Sequence, residues 1–354
     1  MNSAKVLPEV VSVRDEEHDW QWARRLESLG FVIQQRIHEM LTSGETGLST
    51  PVAEEGGDTI YAIDRRVEPL IEQQIAGWPD ACLPLLLVME GMGHDGRRRI
   101  GNKDLPIRYR VIVDPIDGTR GLMYDKRSAW FLAAVAMDNG EETGLLDTFA
   151  SVMVELPTSK QGLCDSFVAV RGQRTQCQRT RVGGVDARIR TPMPSSATTL
   201  AGGFAQVTNF FQGTKVLAAE LMETIAAAVV PAGHTSQSAV LEDQYISTGG
   251  QWVELITGHD RFCCDLRPLF YQLLQAETHR KFPILVCHPY DAAGLLVVKQ
   301  AGVILTDGFG RELNALLNVD QPVHWCGYAN AHLQEMIEPV IQGWLAERGL
   351  FPPK

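Results

Sequence analysis

The sequence predicts a mixed α and β fold, and three kinds of segment carry that prediction. Apolar residues recur every three or four positions between residues 19 and 41, as they do on the buried face of a long helix. Two continuous apolar runs, Leu83 to Met89 and Tyr109 to Val113, are typical of strands that are buried on both faces. Two further runs, Ser128 to Ala136 and Ser151 to Leu156, predict an antiparallel hairpin because turn residues separate them.

The remaining elements follow from the same periodicities. They are a strand over 59–63, a helix over 67–75, a helix over 216–230, an extended segment over 252–256, a helix over 292–301, a strand over 303–305 and a last helix that Asn330 caps. Prolines and serines interrupt the pattern at residues 191–196, which makes this stretch the best candidate boundary. We therefore expect an N-terminal domain of residues 1–193 and a C-terminal domain of residues 194–354.

The composition favours a globular protein and excludes some classes of partner. The chain has 354 residues, of which 45% are hydrophobic and 21% charged, and its net charge is -11. An acidic balance argues against a nucleic acid polymer as partner. The first residues do not resemble a secretory signal, and no apolar run reaches the roughly 18 residues of a membrane span, so we expect a cytoplasmic protein without a membrane partner. The basic run at 97–99 is interpreted as a solvated loop, with a phosphate-attracting rim as the alternative.

Acidic residues stand where predicted strands end and helices begin. The turn DPIDGT follows the strand YRVIV and holds Asp114 and Asp117 three residues apart, while Glu90 ends the strand LPLLLVM and Asp291 opens a helix. A surface turn and helix caps are the ordinary alternatives for such residues. Carboxylates gathered at these places would repel one another, and divalent cations, which prefer oxygen ligands, would remove that penalty.

Four segments in order resemble motifs of the inositol monophosphatase family, within the sugar phosphatase superfamily that includes fructose-1,6-bisphosphatases. They are GDTIYAIDRRVE at 57–68, VMEG at 88–91, DPIDGT at 114–119 and PYDAAGLLVVKQAGVILTD at 289–307. The resemblance spans most of the chain and implies a layered αβαβα sandwich. It also implies an enzyme, a Mg²⁺-dependent phosphomonoesterase that hydrolyses a small sugar or polyol phosphate by in-line attack of metal-activated water. Homodimers are common in the family.

The resemblance also implies roles for individual residues. The metal ligands would be Glu90, Asp114, the carbonyl of Ile116, Asp117 and Asp291, which together would hold two or three Mg²⁺ ions, with Mn²⁺ as a substitute. Thr119, aided by Glu90, would position the attacking water, and Asp64 would help to hold it. The substrate-binding residues would be Asp117, Gly118, Thr119 and Asp265.

Two departures from the family pattern keep other functions open. Gly91 stands where many members have a second acidic residue, and residues 52–58 contain no lysine. These departures motivate a catalytically weak regulator that binds metal or phosphate as one alternative. A nucleotide 3'-phosphatase of the adenosine 3',5'-bisphosphate type is the enzymatic alternative. His288 neighbours the predicted site in sequence, and a contact with the leaving group is a further hypothesis.

Overall fold

The computed structural model describes residues 16–55, 58–92, 95–230, 239–279 and 285–352. The helices in these ranges are α1 (Glu16–Thr42), α2 (Ala62–Ala76), α3 (Thr119–Met123), α4 (Lys215–Val229), α5 (Thr248–Ile256), α6 (Arg267–Thr278), α7 (Leu295–Ala301) and α8 (Ala331–Glu347). The strands are β1 (Pro51–Glu55), β2 (Asp58–Tyr61), β3 (Leu85–Met89), β4 (Arg97–Ile100), β5 (Tyr109–Asp117), β6 (Ala129–Met137), β7 (Thr148–Leu156), β8 (Cys164–Val170), β9 (Gln176–Arg181), β10 (Val185–Arg190), β11 (Phe204–Val207), β12 (Asp260–Asp265), β13 (Ile304–Thr306) and β14 (Trp325–Tyr328).

The larger sheet has eight strands in the order β10-β9-β8-β7-β6-β5-β3-β4, and it contains the predicted buried strands and hairpin. Strands β6 and β7 pair antiparallel, as predicted, whereas β3 and β5 pair in parallel. Because parallel strands end at the same edge of a sheet, Glu90 after β3 and Asp114 near the end of β5 lie at one edge. This pairing places the first two predicted ligands in the same region of the molecule.

Helix α1 confirms the helix predicted over residues 19–41, and it covers one face of the larger sheet. Its buried face includes Trp22, Leu26 and Ile33, which pack with apolar residues of α2 and the sheet. Gly30 allows the helix to approach closely, because an added Cβ would lie 2.6 Å from Cγ2 of Val154 in β7.

Three apolar cores separate five layers and confirm the predicted αβαβα sandwich. The first core lies between α1 and α2 and the larger sheet. The second joins the other face of that sheet to α5, α7 and the smaller sheet, whose strand order is β11-β12-β14-β13. The third lies between the smaller sheet and the outer helices α4, α6 and α8. Alternate residues of a strand contribute to different cores, as the pleat requires: in β5, Val111 faces the first core and Ile112 the second.

Two predictions of local structure were wrong. Residues 252–256 lie in helix α5 and not in an extended segment; the Ser247 hydroxyl caps this helix by accepting the N–H of Gly250 at 2.8 Å. The helical period is hidden because nearly all of α5 is buried. Residues 97–99 lie in strand β4 and not in a loop, and two of their guanidinium groups pair with Glu141 and Glu72.

The segment between the two sheets runs from Arg190 at the end of β10 to Phe204 at the start of β11, and the boundary predicted at 191–196 lies within it. Asn330 caps α8 as predicted, since its side chain accepts the N–H of Leu333 at 3.0 Å. Within the described ranges, no helix combines the length and the apolar character that crossing a membrane would require.

Candidate active site

Three of the predicted ligands meet in one cluster. Asp114 and Asp117 lie on β5, and Asp291 lies in the turn before α7; one carboxylate oxygen of each is within 4.8 Å of the others. The cluster opens into a surface cleft. Glu90, Ile116, Gly118, Thr119 and Asp64 line the same cleft, so the structure brings together all the predicted metal-binding and catalytic residues.

The electrostatics of the cluster favour bound cations. Burial, followed by the negative charges of Asp117, Asp291 and Glu90, raises the pKa of Asp114 well above its usual range. Burial also raises the pKa of Asp117 to about 6, although three hydrogen bonds oppose the shift. The donor set consists of oxygen atoms, which hard divalent cations such as Mg²⁺ prefer. The residues present therefore fit a divalent metal site.

Helix α5 holds the carboxylate of Asp117. The hydroxyl of Ser247 donates to Oδ2 at 2.8 Å, and the N–H groups of Thr248 and Gly249 donate to Oδ1 and Oδ2 at 3.2 and 2.5 Å. A Cβ added to Gly249 would lie 2.9 Å from Asp117 Oδ2, so this position requires glycine. Sequence reasoning missed this support because it treated the following residues, 252–256, as an extended segment. The signal that was available is Ser247, an N-cap residue directly before a glycine-containing apolar run.

Asp64 and Thr119 are in direct contact. The Oγ1 atom of Thr119 lies 3.1 Å from Oδ1 of Asp64 and 2.8 Å from the carbonyl oxygen of Ile116. The other carboxylate oxygen of Asp64 accepts the N–H of Tyr61 at 2.9 Å at the start of α2. Asp64 is therefore both the helix cap that its sequence position suggests and a partner of the predicted catalytic threonine.

His288 and Tyr290 orient two of the predicted ligands. The N–H of His288 donates to Oδ2 of Asp291 at 2.6 Å, and the hydroxyl of Tyr290 donates to Oε1 of Glu90 at 3.2 Å. The two rings stack with their centroids 5.4 Å apart, and both residues are buried. His288 thus supports Asp291 through its backbone, while its contact with a leaving group stays a prediction.

The structure gives a physical reason for Gly91. Its φ angle is +73°, a conformation that disfavours other residues, and an added Cβ would lie 2.4 Å from Oε1 of the buried Glu68. Arg65 links the two residues by donating to Oε2 of Glu68 at 3.0 Å and to the carbonyl of Gly91 at 2.6 Å. The carboxylate of Glu68 thus occupies the space that a side chain at position 91 would need.

Asp265 lies behind the wall of the cleft. It is fully buried, and both of its carboxylate oxygens accept hydrogen bonds from Arg267, at 2.8 and 2.5 Å. Arg267, Phe210 and Phe211 line the cleft, whereas Asp265 is not among the described residues that line it. Direct contact between Asp265 and a substrate stays a prediction, and Arg267 is the residue that sequence reasoning missed.

Comparisons with known proteins agree with this architecture. No family model matches the chain, and no curated protein sequence gives a match. Solved structures do match. The Leishmania major fructose-1,6-bisphosphatase in its holo form has a TM-score of 0.61 at 13% identity, and the match covers 95% of this chain and 96% of that one. The Thermotoga maritima IMPase has a TM-score of 0.56 at 15% identity, covering 95% of this chain and 100% of that one.

This chain has the inositol monophosphatase fold. A further structure with this fold, SaIMPase-II with 2'-AMP bound, has a TM-score of 0.58 at 16% identity, and the match covers 93% of this chain and 98% of that one. The inositol monophosphatase fold thus extends over nearly the whole of each of these chains. The fold assigned by the motif resemblance is confirmed at a level of identity where sequence comparison finds no match.

Proposed function

We propose that this protein is a Mg²⁺-dependent phosphomonoesterase that hydrolyses a small sugar or polyol phosphate. One observation carries the proposal: the carboxylates of Asp114, Asp117 and Asp291 meet within 4.8 Å, and burial raises the pKa of the first two. Such a cluster costs free energy in the absence of cations. The cleft beside it also contains a hydrogen-bonded threonine and carboxylate that can handle a proton. The matching structures include a fructose-1,6-bisphosphatase, an IMPase and an IMPase with bound 2'-AMP, which supports a small phosphate ester as substrate.

The residues that would hold the ions are Glu90, Asp114, Asp117, Asp291 and the carbonyl of Ile116. Divalent ions at this place would polarise the phosphoryl oxygens and lower the pKa of a water molecule. Tyr290 orients Glu90, and Ser247 orients Asp117, so two of the ligands are fixed before a substrate binds. Preorganised ligands reduce the rearrangement that the reaction needs.

Thr119 and Asp64 would position the attacking water. The Thr119 hydroxyl has one proton, which it can donate either to Asp64 or to the carbonyl of Ile116. When the proton points to Asp64, the lone pairs of Oγ1 are available to accept a hydrogen bond from water. This arrangement holds the water with its oxygen directed at a substrate and gives the departing proton a path to the carboxylate.

The turn that follows Asp117 would receive the phosphate group. Gly118 has a φ angle of +103°, and an added Cβ would lie 3.1 Å from Cβ of Ser247, so only glycine fits. Helix α3 begins at Thr119, and the first N–H groups of a helix have no acceptor within it. The N–H groups of Gly118 and Thr119 are therefore suited to bind phosphate oxygens.

Phosphate release from a panel of esters tests the proposal. The panel contains inositol 1-phosphate, fructose 1,6-bisphosphate, other sugar phosphates and adenosine 3',5'-bisphosphate, each with Mg²⁺ and after chelation. We expect release that requires Mg²⁺ and falls at least a hundredfold in Asp117→Asn, since this change removes a ligand charge. If no ester is hydrolysed although Mg²⁺ binds, the phosphatase proposal is wrong and a regulator that binds metal is the better account.

A further inference from the structure

One wall of the candidate active site is cationic and aromatic. Arg120, Phe210, Phe211 and Arg267 line the same cleft as the carboxylate cluster, and we call these four residues the arginine wall. Cζ of Arg120 and Cζ of Arg267 each lie 5.3 Å from the centroid of the Phe211 ring. The Arg267 guanidinium also lies 4.7 Å from the ring of Phe210. Both guanidinium groups are thus braced by aromatic rings at distances typical of cation–π contacts.

Arg267 is held rigidly at the edge of the cleft. Its side chain is only 5% exposed, and Asp265 binds it through Nε and one terminal nitrogen. The other terminal nitrogen donates to the carbonyl of Leu285 at 2.9 Å. Three of its five N–H donors are engaged by these bonds among the described residues, which leaves two for a ligand in the cleft. Burial lowers the pKa of Arg267, but Asp265 and Asp291 raise it above its ordinary value, so the group stays charged.

Arg120 lines the same cleft, next to the residues that would bind the water and the phosphate. It directly follows Thr119, whose hydroxyl and N–H groups are assigned to the water and the phosphate, and its guanidinium also lies 5.7 Å from the ring of Tyr61. The wall thus brings two guanidinium groups to the cleft, and the carboxylate of Asp265 pairs with the guanidinium of Arg267. A guanidinium binds phosphate or carboxylate through paired N–H donors far better than it binds a neutral hydroxyl.

We infer that Arg120 and Arg267 are specificity-determining residues that select phosphomonoesters with a second anionic group, such as a second phosphate. The inference rests on the proposed function and makes its substrate class narrower. The carboxylate cluster with its ions would receive the phosphate that is cleaved, and the arginine wall would receive the second anion. A polyol with one phosphate would fill the first place and offer no anion to the arginine wall.

Matched pairs of substrates test this inference in the full chain with Mg²⁺. The pairs are adenosine 3',5'-bisphosphate with adenosine 3'-monophosphate, and fructose 1,6-bisphosphate with fructose 1-phosphate. Because a hydrogen bond to a charged group is worth about tenfold or more in affinity, two such contacts predict a kcat/KM ratio of about a hundredfold in favour of a bisphosphate. The ratio should fall about tenfold in Arg120→Met and in Arg267→Lys.

The ratio separates specificity from folding, since a variant that folds poorly loses activity on both members of a pair equally. Arg267→Lys keeps a charge beside the buried Asp265, and thermal unfolding checks its stability. Lys299→Met is the matched control, because Lys299 pairs with Glu312 away from the residues that line the cleft and its loss should leave the ratio unchanged. A ratio near one in the wild type, or a ratio that neither arginine variant changes, would overturn the inference. Absence of release from every ester would refute the proposed function itself.

Discussion

Replacing Ser247 with alanine tests whether helix α5 sets the charge state of Asp117. The hydroxyl donates to Asp117 Oδ2 and accepts the N–H of Gly250, both at 2.8 Å, and the residue is buried. Loss of a hydrogen bond to a buried carboxylate costs about 1.5–3 kcal/mol, and loss of an N-cap about 1 kcal/mol. We therefore expect Ser247→Ala to lower the free energy of unfolding by about 2–4 kcal/mol in urea titrations.

The same change should weaken metal binding in a way that depends on pH. The hydroxyl lowers the pKa of Asp117, which stands at about 6, so its removal raises that pKa by a further one to two units, since one unit corresponds to about 1.4 kcal/mol. A protonated ligand must release its proton before a metal binds. At pH 7 calorimetry should show Mg²⁺ bound about two- to tenfold more weakly than by the wild type, and the difference should vanish by about pH 9.

The control for this prediction is Asn330→Ala, which removes the cap of α8 far along the chain from the cluster. It also removes the hydrogen bonds that the Asn330 amide donates to the carbonyls of Ser195 and Ala197, so it should lower the free energy of unfolding by about 2–4 kcal/mol and leave Mg²⁺ affinity unchanged. Equal Mg²⁺ affinity in Ser247→Ala and the wild type at pH 7 would refute the idea that α5 tunes the ligand.

Three further predictions concern the same cleft. Gly249→Ala forces a Cβ to within 2.9 Å of Asp117 Oδ2. It should lower the free energy of unfolding by about 1–3 kcal/mol and reduce phosphate release at least about tenfold, and normal activity would contradict this geometry. Thr119→Val removes the hydroxyl beside Asp64 and should lower kcat about a hundredfold with little change in melting temperature; an unchanged kcat would exclude the threonine from the reaction. The metal-free protein should lose about 3 kcal/mol of its free energy of unfolding as pH rises from about 4 through 6, because the pKa of Asp117 is about 6 in the folded protein and ordinarily 3.8. Calorimetry that shows no such loss would contradict the raised pKa of Asp117.

Local sequence patterns predicted the strand that precedes Glu90 and the strand that carries Asp114 and Asp117. The run YRVIV predicts a buried strand by its apolar character alone, and the structure extends that strand through Asp117. The acidic residues were found because they stand at the ends of such runs, where strand pairing brings them to one edge of the sheet. The helical periodicity of α1 was equally clear, since one of its faces is exposed.

The parts that sequence reasoning missed depend on contacts between distant segments. Helix α5 is buried on nearly all sides, so it lacks the polar face from which a helical period can be recognised. The run at 97–99 pairs with β3 as an edge strand, where charged side chains remain partly exposed and resemble a loop. The ion pair between Asp265 and Arg267 was missed because both residues stand at the start of a helix. An acidic residue at that position is ordinarily explained by its hydrogen bond to the backbone of the first helical turn, which Asp265 also makes.

A Mg²⁺ titration of the wild type and of Asp114→Asn, with phosphate release measured in the same samples, tests whether the carboxylate cluster is a catalytic metal site. Asp114 is the most buried member of the cluster, with 4% of its surface exposed. The negative charges of the neighbouring carboxylates help to raise its pKa. We expect the variant to stay folded and to lose Mg²⁺ binding and phosphate release together. Full activity in the variant, or activity in the wild type that survives complete chelation, would show that the carboxylate cluster is not the catalytic metal site.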